Sequence, residues 1–190
     1  MLSVSVFALL ILLTFAWLPG SVRSERRSFE YARRIYSIRD VDFANIEFHP
    51  QIGISHYKLH HSHVALREGL MRTEAWLAKV WYFDSGKALT NFVLLSCGAS
   101  CSEQHVLQVF EVRHDHLFVT QQLEFDDQAP GTREAFNEKT GRLTVVSRAN
   151  DESAHCCPKN LDVSTYRWEG AGFRQLSWRR VPLAPDHQTR

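Results

Sequence analysis

The chain has no excess of either charge: 22 basic and 21 acidic side chains leave a net charge of +1. No strongly basic surface is forced by that balance, which argues against a nucleic-acid partner. Lysine is scarce, and arginines such as Arg34, Arg67, Arg113 and Arg148 are scattered instead of lining one groove. There is no internal repeat and no low-complexity run. There is no G-x-S-x-G nucleophile signature, and no C-x-x-C of the kind that redox-active dithiols use. What the chain does not lack is apolar sequence. Hydrophobic residues make up 44% and charged residues 23% of its 190 residues, which are globular values and exclude wholesale disorder.

The longest apolar run lies at the N-terminus. Val4 to Leu18 is almost unbroken, Pro19 and Gly20 then break any helix, and Val22-Arg23-Ser24 follows. The run of about 15 residues is short of the roughly 20 that a bilayer span needs, and small or uncharged residues suit signal peptidase, so residues 1–24 read as a signal peptide cut after Ser24. One feature points elsewhere. No Lys or Arg precedes the run, while Arg23, Arg26 and Arg27 follow it, the charge pattern of an uncleaved anchor through residues 4–18. No Cys lies near the cut to carry a lipid. Export predicts a secreted or periplasmic protein. About 165 residues would then remain, a length that buries roughly 70% of its unfolded surface in one core.

Residues 25–39 form a charged, amphipathic lead-in. From 40 to 182 the sequence consists of short apolar runs between turn signals, the pattern of antiparallel sheet, and 183–190 is a polar tail. The runs are Asp40 to Phe48, His63 to Leu66, Trp76 to Phe83, Asn91 to Ser96, Val106 to Val112, His116 to Phe125, Arg142 to Ser147, Val163 to Trp168 and Phe173 to Val181. In Val106 to Val112 both alternating faces are mostly apolar, which predicts a central strand. Asp84-Ser85-Gly86-Lys87, His114-Asp115 and Glu169-Gly170-Ala171-Gly172 read as tight connections, the second a hairpin turn. Met71 to Ala78 and Gly131 to Glu138 have room for short helices. The expected fold is mainly β, with α+β as the alternative: an antiparallel meander with one or two short peripheral helices.

Four cysteines, Cys97, Cys101, Cys156 and Cys157, suit disulfides in an exported chain. Neighbouring cysteines seldom bond each other, so cross-pairing of the two clusters is expected, each bridge closing a loop of about 55 residues and contributing roughly 4 kcal/mol in the chain-entropy model. The competing reading is metal held by the C-x3-C pair with His155, Cys156 and Cys157. Ten histidines include the clusters His60-His61-x-His63 and His114-x-His116. On a strand, His61 with His63, or His114 with His116, would point the same way and reach one zinc or copper ion. Solvated histidines at turns and strand edges are the plainer reading. Asp40 and Asp42 flank Val41, and Ser96, Ser100, Ser102 and His105 surround the first cysteine pair without any accompanying motif. The aromatic residues, from Trp76 to Trp178, fall mostly in the expected strands and read as core.

The stretch from Cys156 to Phe173 carries C-C-P, Y-x-W, a glycine and a phenylalanine at Cys156, Cys157, Pro158, Tyr166, Trp168, Gly170 and Phe173. In this it resembles small secreted bacterial domains of unknown function, the mycobacterial LppP/LprE-type lipoproteins among them. Looser similarity runs upstream, at Asp40 to Asn45 and from Trp81-Tyr82-Phe83-Asp84 to Val93-Leu94-Leu95. The acidic, glycine-rich turn of such domains is reduced here to Asp84, Ser85 and Gly86, and the segment after it is replaced by Cys97-Gly98-Ala99-Ser100-Cys101. The resemblance implies export and a β-rich fold, and it implies no activity.

The function expected from sequence is therefore a non-catalytic, exported binding or structural module, with no catalytic residue or cofactor assigned and an envelope component or protein as its partner. The alternatives are a metal-binding protein using the histidines or cysteines, and a hydrolase whose site gathers around Asp42, His63 or Ser96.

Overall fold

Consecutive strands joined by turns too short for a crossover leave antiparallel pairing as the only way to satisfy the backbone. The computed structural model, which describes residues 27–29, 34–48, 57–127, 133–149 and 159–182, shows that arrangement. Five long strands follow one another as a meander: β4 (His63–Glu68), β5 (Met71–Phe83), β6 (Lys87–Cys97), β7 (Cys101–Arg113) and β8 (His116–Asp127). With β1 (Arg27–Phe29) paired to the outer side of β8 they make a six-stranded sheet in the order β1-β8-β7-β6-β5-β4. A second meander, β9 (Arg133–Asn137), β10 (Arg142–Arg148), β11 (Asn160–Trp168) and β12 (Phe173–Pro182), forms a four-stranded sheet in the order β12-β11-β10-β9. A two-stranded ribbon, β2 (Glu47–Phe48) with β3 (Tyr57–Lys58), completes the fold.

The large sheet is covered on both faces, which is why β7 is apolar on both sides. Val106 and Phe110 face one core with Phe92, Leu94 and Leu117, roofed by Ile35, Ile38, Phe43, Phe48 and Leu59 from the N-terminal layer. There Phe48 stacks on Phe92 at 4.1 Å between ring centroids, and Phe43 meets Phe110 edge-on at 5.2 Å. Leu107 and Val109 face the other core with Leu89, Leu123 and Phe125, against Leu143, Val145, Tyr166 and Phe173 of the second sheet. Truncating a fully buried ring such as Phe92 or Phe110 removes about 3–5 kcal/mol of stability.

The mainly β class and all three tight connections read from sequence hold. His114 and Asp115 are the two central residues of the β7–β8 turn, both left-handed at φ 50° and 65°, the geometry that matches the twist of the flanking strands. Four expectations are corrected. Met71 to Ala78 is strand, because it pairs along β6 on one side and β4 on the other. Arg133–Asn137 is likewise strand, paired with β10. The first expected strand, Asp40 to Phe48, is instead two 3-10 turns, Ile38–Asp40 and Phe43–Asn45, with only Glu47–Phe48 extended. Asp42 stops the strand by capping the second turn, its Oδ1 accepting from the Ala44 amide at 3.2 Å. Of the lead-in, the described residues join the fold: Arg27–Phe29 extends the sheet, and Ile35 and Ile38 are buried. Residues 1–24, expected to be a signal peptide or anchor, and the expected tail lie outside the described residues, and so do Cys156, Cys157 and Pro158.

Candidate functional site

The end of the β5–β6 hairpin is tied down from two directions. Its turn runs through left-handed Asp84 (φ 44°) and Ser85 (φ 46°) into Gly86 (φ 146°), a path that glycine takes without strain. Asp84 Oδ2 accepts from the indole Nε1 of Trp168 at 2.8 Å and lies 3.0 Å from Lys87 Nζ. These two donors, Lys87 foremost, hold the Asp84 carboxyl below its ordinary value against a small desolvation. Trp168 ends β11, an inner strand of the second sheet, so the turn of one sheet is fastened to the other sheet. Glu111, opposite Lys87 in the β6–β7 register, accepts from Arg113 Nη2 at 2.7 Å, and Arg113 is the main cause of its lowered pKa.

Above this turn sits the first 3-10 turn. Ser37 and Asp40 form a reciprocal cap: Ser37 Oγ accepts from the Arg39 amide, and Asp40 Oδ2 accepts from the Ser37 amide at 2.9 Å. The cap holds Arg39 so that its guanidinium lies over the Tyr82 ring, 4.6 Å from the centroid. Between the two turns lies an open cleft of about 320 Å³, lined by Ser37, Ile38, Arg39, Tyr82 and residues 83–87. Lys87, Asp84 and Asp40 are all engaged with neighbours. The Arg39 guanidinium has no carboxylate partner among the described residues, and the residue is exposed.

A second polar cluster lies between the sheets. His105, only 5% exposed, is on the face of β7 that looks toward the second sheet. Its Nε2 hydrogen-bonds Glu103 Oε1 at 2.8 Å, and its Nδ1 is 2.7 Å from Glu134 Oε1 in β9, an ion-pair contact without the alignment of a hydrogen bond. Glu134 Oε2 accepts from Asn91 Nδ2 at 3.0 Å. With a carboxylate at each nitrogen, both nitrogens must carry protons to be satisfied. Burial opposes the charge, but Glu134 and then Glu103 outweigh it and hold the ring's pKa above its ordinary 6.5.

The residues singled out from sequence do not converge. His60, His61 and His63 sit in one tight turn, where His61 is left-handed at φ 53° and so is not on a strand beside His63. His63 leans toward Glu74, Nε2 to Oε2 3.5 Å. His114 occupies a turn position and His116 starts β8, both exposed. Among the described residues no group of three His, Cys, Asp or Glu side chains is placed to hold a metal ion. Asp42 caps a turn, and Ser96 faces Thr73 across the β5–β6 ladder, hydroxyl to hydroxyl at 3.4 Å. The bridge joins Cys97 to Cys101, with Cα atoms 4.1 Å apart, so the expected cross-pairing does not hold for these two. They are register partners at the loop end of the β6–β7 hairpin, so strand pairing itself places them side by side.

Glu103, Asn91 and Glu134 were not legible as partners of His105, which on sequence stood only beside the cysteines. The available signal was its place on one alternating face with Leu107 and Val109. Arg39 carried no signal at all, since its role depends on a non-local neighbour, Tyr82. Among the described residues no helix is long and apolar enough to cross a membrane. No family model, no curated protein and no solved structure matches this chain.

Proposed function

We propose that this protein is an exported, non-catalytic binding module that receives an anionic group, carboxylate or phosphate, in the cleft beside Arg39. The observation that carries the reading is the Arg39 guanidinium, without a carboxylate partner among the described residues, lying over the Tyr82 ring at the wall of an open cleft. A stacked arginine presents a planar row of N–H donors, and that geometry matches two oxygens of one anion. Lys87 is paired with Asp84 and the Asp40 carboxylate is held by the Ser37 amide, so both are already engaged. Ser85 and the backbone of the β5–β6 turn are fixed by Trp168, which favours a preformed site. The apolar leader supports export, and a bonded Cys97–Cys101 pair is compatible with an oxidising compartment.

The test is a nuclear magnetic resonance titration of the folded protein with inorganic phosphate and, separately, with succinate. Saturable shifts at the Arg39 Nε–H and at the amides of Ser85 to Lys87, abolished in Arg39→Gln, are expected. Shifts that grow linearly with anion, or that persist in Arg39→Gln, end the reading.

A further inference from the structure

The groups between the two sheets do something the cleft does not. We infer that His105, Glu103 and Glu134 form a proton-operated latch, closed while the ring carries both protons, which docks β9 onto the large sheet. The geometry is specific. Glu103 and His105 share one face of β7, a central strand, while Glu134 comes from β9, the edge strand of the other sheet. The Glu134 side chain is 6% exposed, and the ring stands between its carboxylate and that of Glu103. When the ring loses a proton, one nitrogen turns from donor to acceptor and meets a carboxylate oxygen under 3 Å away. Two acceptors at that distance repel, and the buried Glu134 loses its counter-charge.

Among the described residues, none in register with His105 or Glu134 is placed to take over. On β8 the register partner of His105 is Phe125, and on β6 it is Val93. Opposite Glu134 on β10 stands Val145. Asp127 stands opposite Glu103 in the β7–β8 register and adds no cation. The cation nearest in register is Lys79 of β5, opposite Asn91, and its Nζ is 5.2 Å from the Trp81 ring centroid. Asn91 offers one amide N–H to Glu134, while its own Oδ1 has no hydrogen-bond partner. The far end of β9 is held differently, by Phe136 edge-on to Trp81, Phe83 and Phe173. Opening is therefore confined to the Glu134 end, and Phe136 acts as the hinge side.

The sign is fixed by the direction of the shift. A ring whose folded pKa is raised contributes its stabilisation fully below the unfolded value and loses it as pH rises through the folded one. The experiment follows the His105 ring nitrogens by ¹⁵N resonance in the wild-type protein from about pH 6 to about pH 9, together with amide exchange corrected for its intrinsic base-catalysed rate. A doubly protonated ring at about pH 6.5 is expected. Protection at Glu134 and Ala135 should fall about tenfold at the ring's own midpoint, while Phe136 and Val109 change little. Glu134→Gln should lower the midpoint and flatten the profile. A ring already neutral at about pH 6, or β9 protection that ignores the ring's titration, overturns the latch. So does a midpoint that Glu134→Gln leaves in place.

Discussion

Gln121 grips both backbone groups of Phe173. Its Oε1 accepts from the Phe173 amide at 2.6 Å and its Nε2 donates to the Phe173 carbonyl at 3.3 Å, so one side chain of β8 serves as a ladder partner for the first residue of β12. All of these atoms are buried, and removing the side chain strands two backbone groups at once. Gln121→Ala is expected to lower stability by about 2–4 kcal/mol, measured by urea unfolding. A Cβ added at Gly172 would lie 3.2 Å from the same Oε1. Gly172→Ala should therefore cost less in the Gln121→Ala background than alone, a coupling that a double-mutant cycle reads directly.

The Cys97–Cys101 bridge closes a ring of only five residues in a hairpin that the ladder already defines. The chain-entropy model assigns such a loop about 2 kcal/mol, against the roughly 4 kcal/mol of a long cross-bridge. Replacing both residues by serine should lower stability by about that smaller amount and leave the β6–β7 register intact. Thermal melts and backbone chemical shifts check both halves.

Asp84 gives the protein an acid-sensitive corner. Because Lys87 and Trp168 depress its pKa, its contribution is present above the unfolded carboxylate value and is lost as pH falls through the folded one. The site is largely exposed, so the change is local and small. The Trp168 indole N–H resonance should move as the carboxyl protonates, with a midpoint below about 3.8, and the movement should vanish in Asp84→Asn. Asparagine also tolerates the left-handed backbone found at this position.

The β7–β8 turn has room for improvement. His114 and Asp115 both sit at positive φ, where Asn-Gly is the preferred pair. His114→Asn combined with Asp115→Gly should raise stability by about 0.5–1 kcal/mol, or about 1–4 °C in melting temperature. Neither side chain is buried, so calorimetry should show no compensating loss.

Local pattern accounts for what was legible in the sequence. The meander, its tight connections and the two-faced β7 follow from alternation and turn residues within a few positions of each other. The segment from Asp40 to Phe48 misled because its alternation imitates a strand, whereas Asp42 and Asp40 bond their own neighbouring backbone and fold it into turns. The Met71 to Ala78 stretch misled because a mixed polar and apolar segment without turn residues fits either period. The cysteine pairing failed for a different reason: closure by a neighbouring strand makes Cys97 and Cys101 adjacent in space, which spacing alone did not show. The groups between the sheets depend on how two meanders stack. No local signal sets Glu134 beside His105.

Within each of the two large sheets every strand from β4 onward lies beside its neighbour in sequence. Pairing within a sheet thus closes only short loops, and the distant contacts are those of stacking and of β1 on β8. Folding speed depends on how far apart contacting residues are along the chain, so this connectivity favours quick formation of two ribbons followed by slower docking. The barrier then belongs to the docking step, and substitutions at the seam, Gln121 among them, should slow refolding more than equally costly changes within a hairpin.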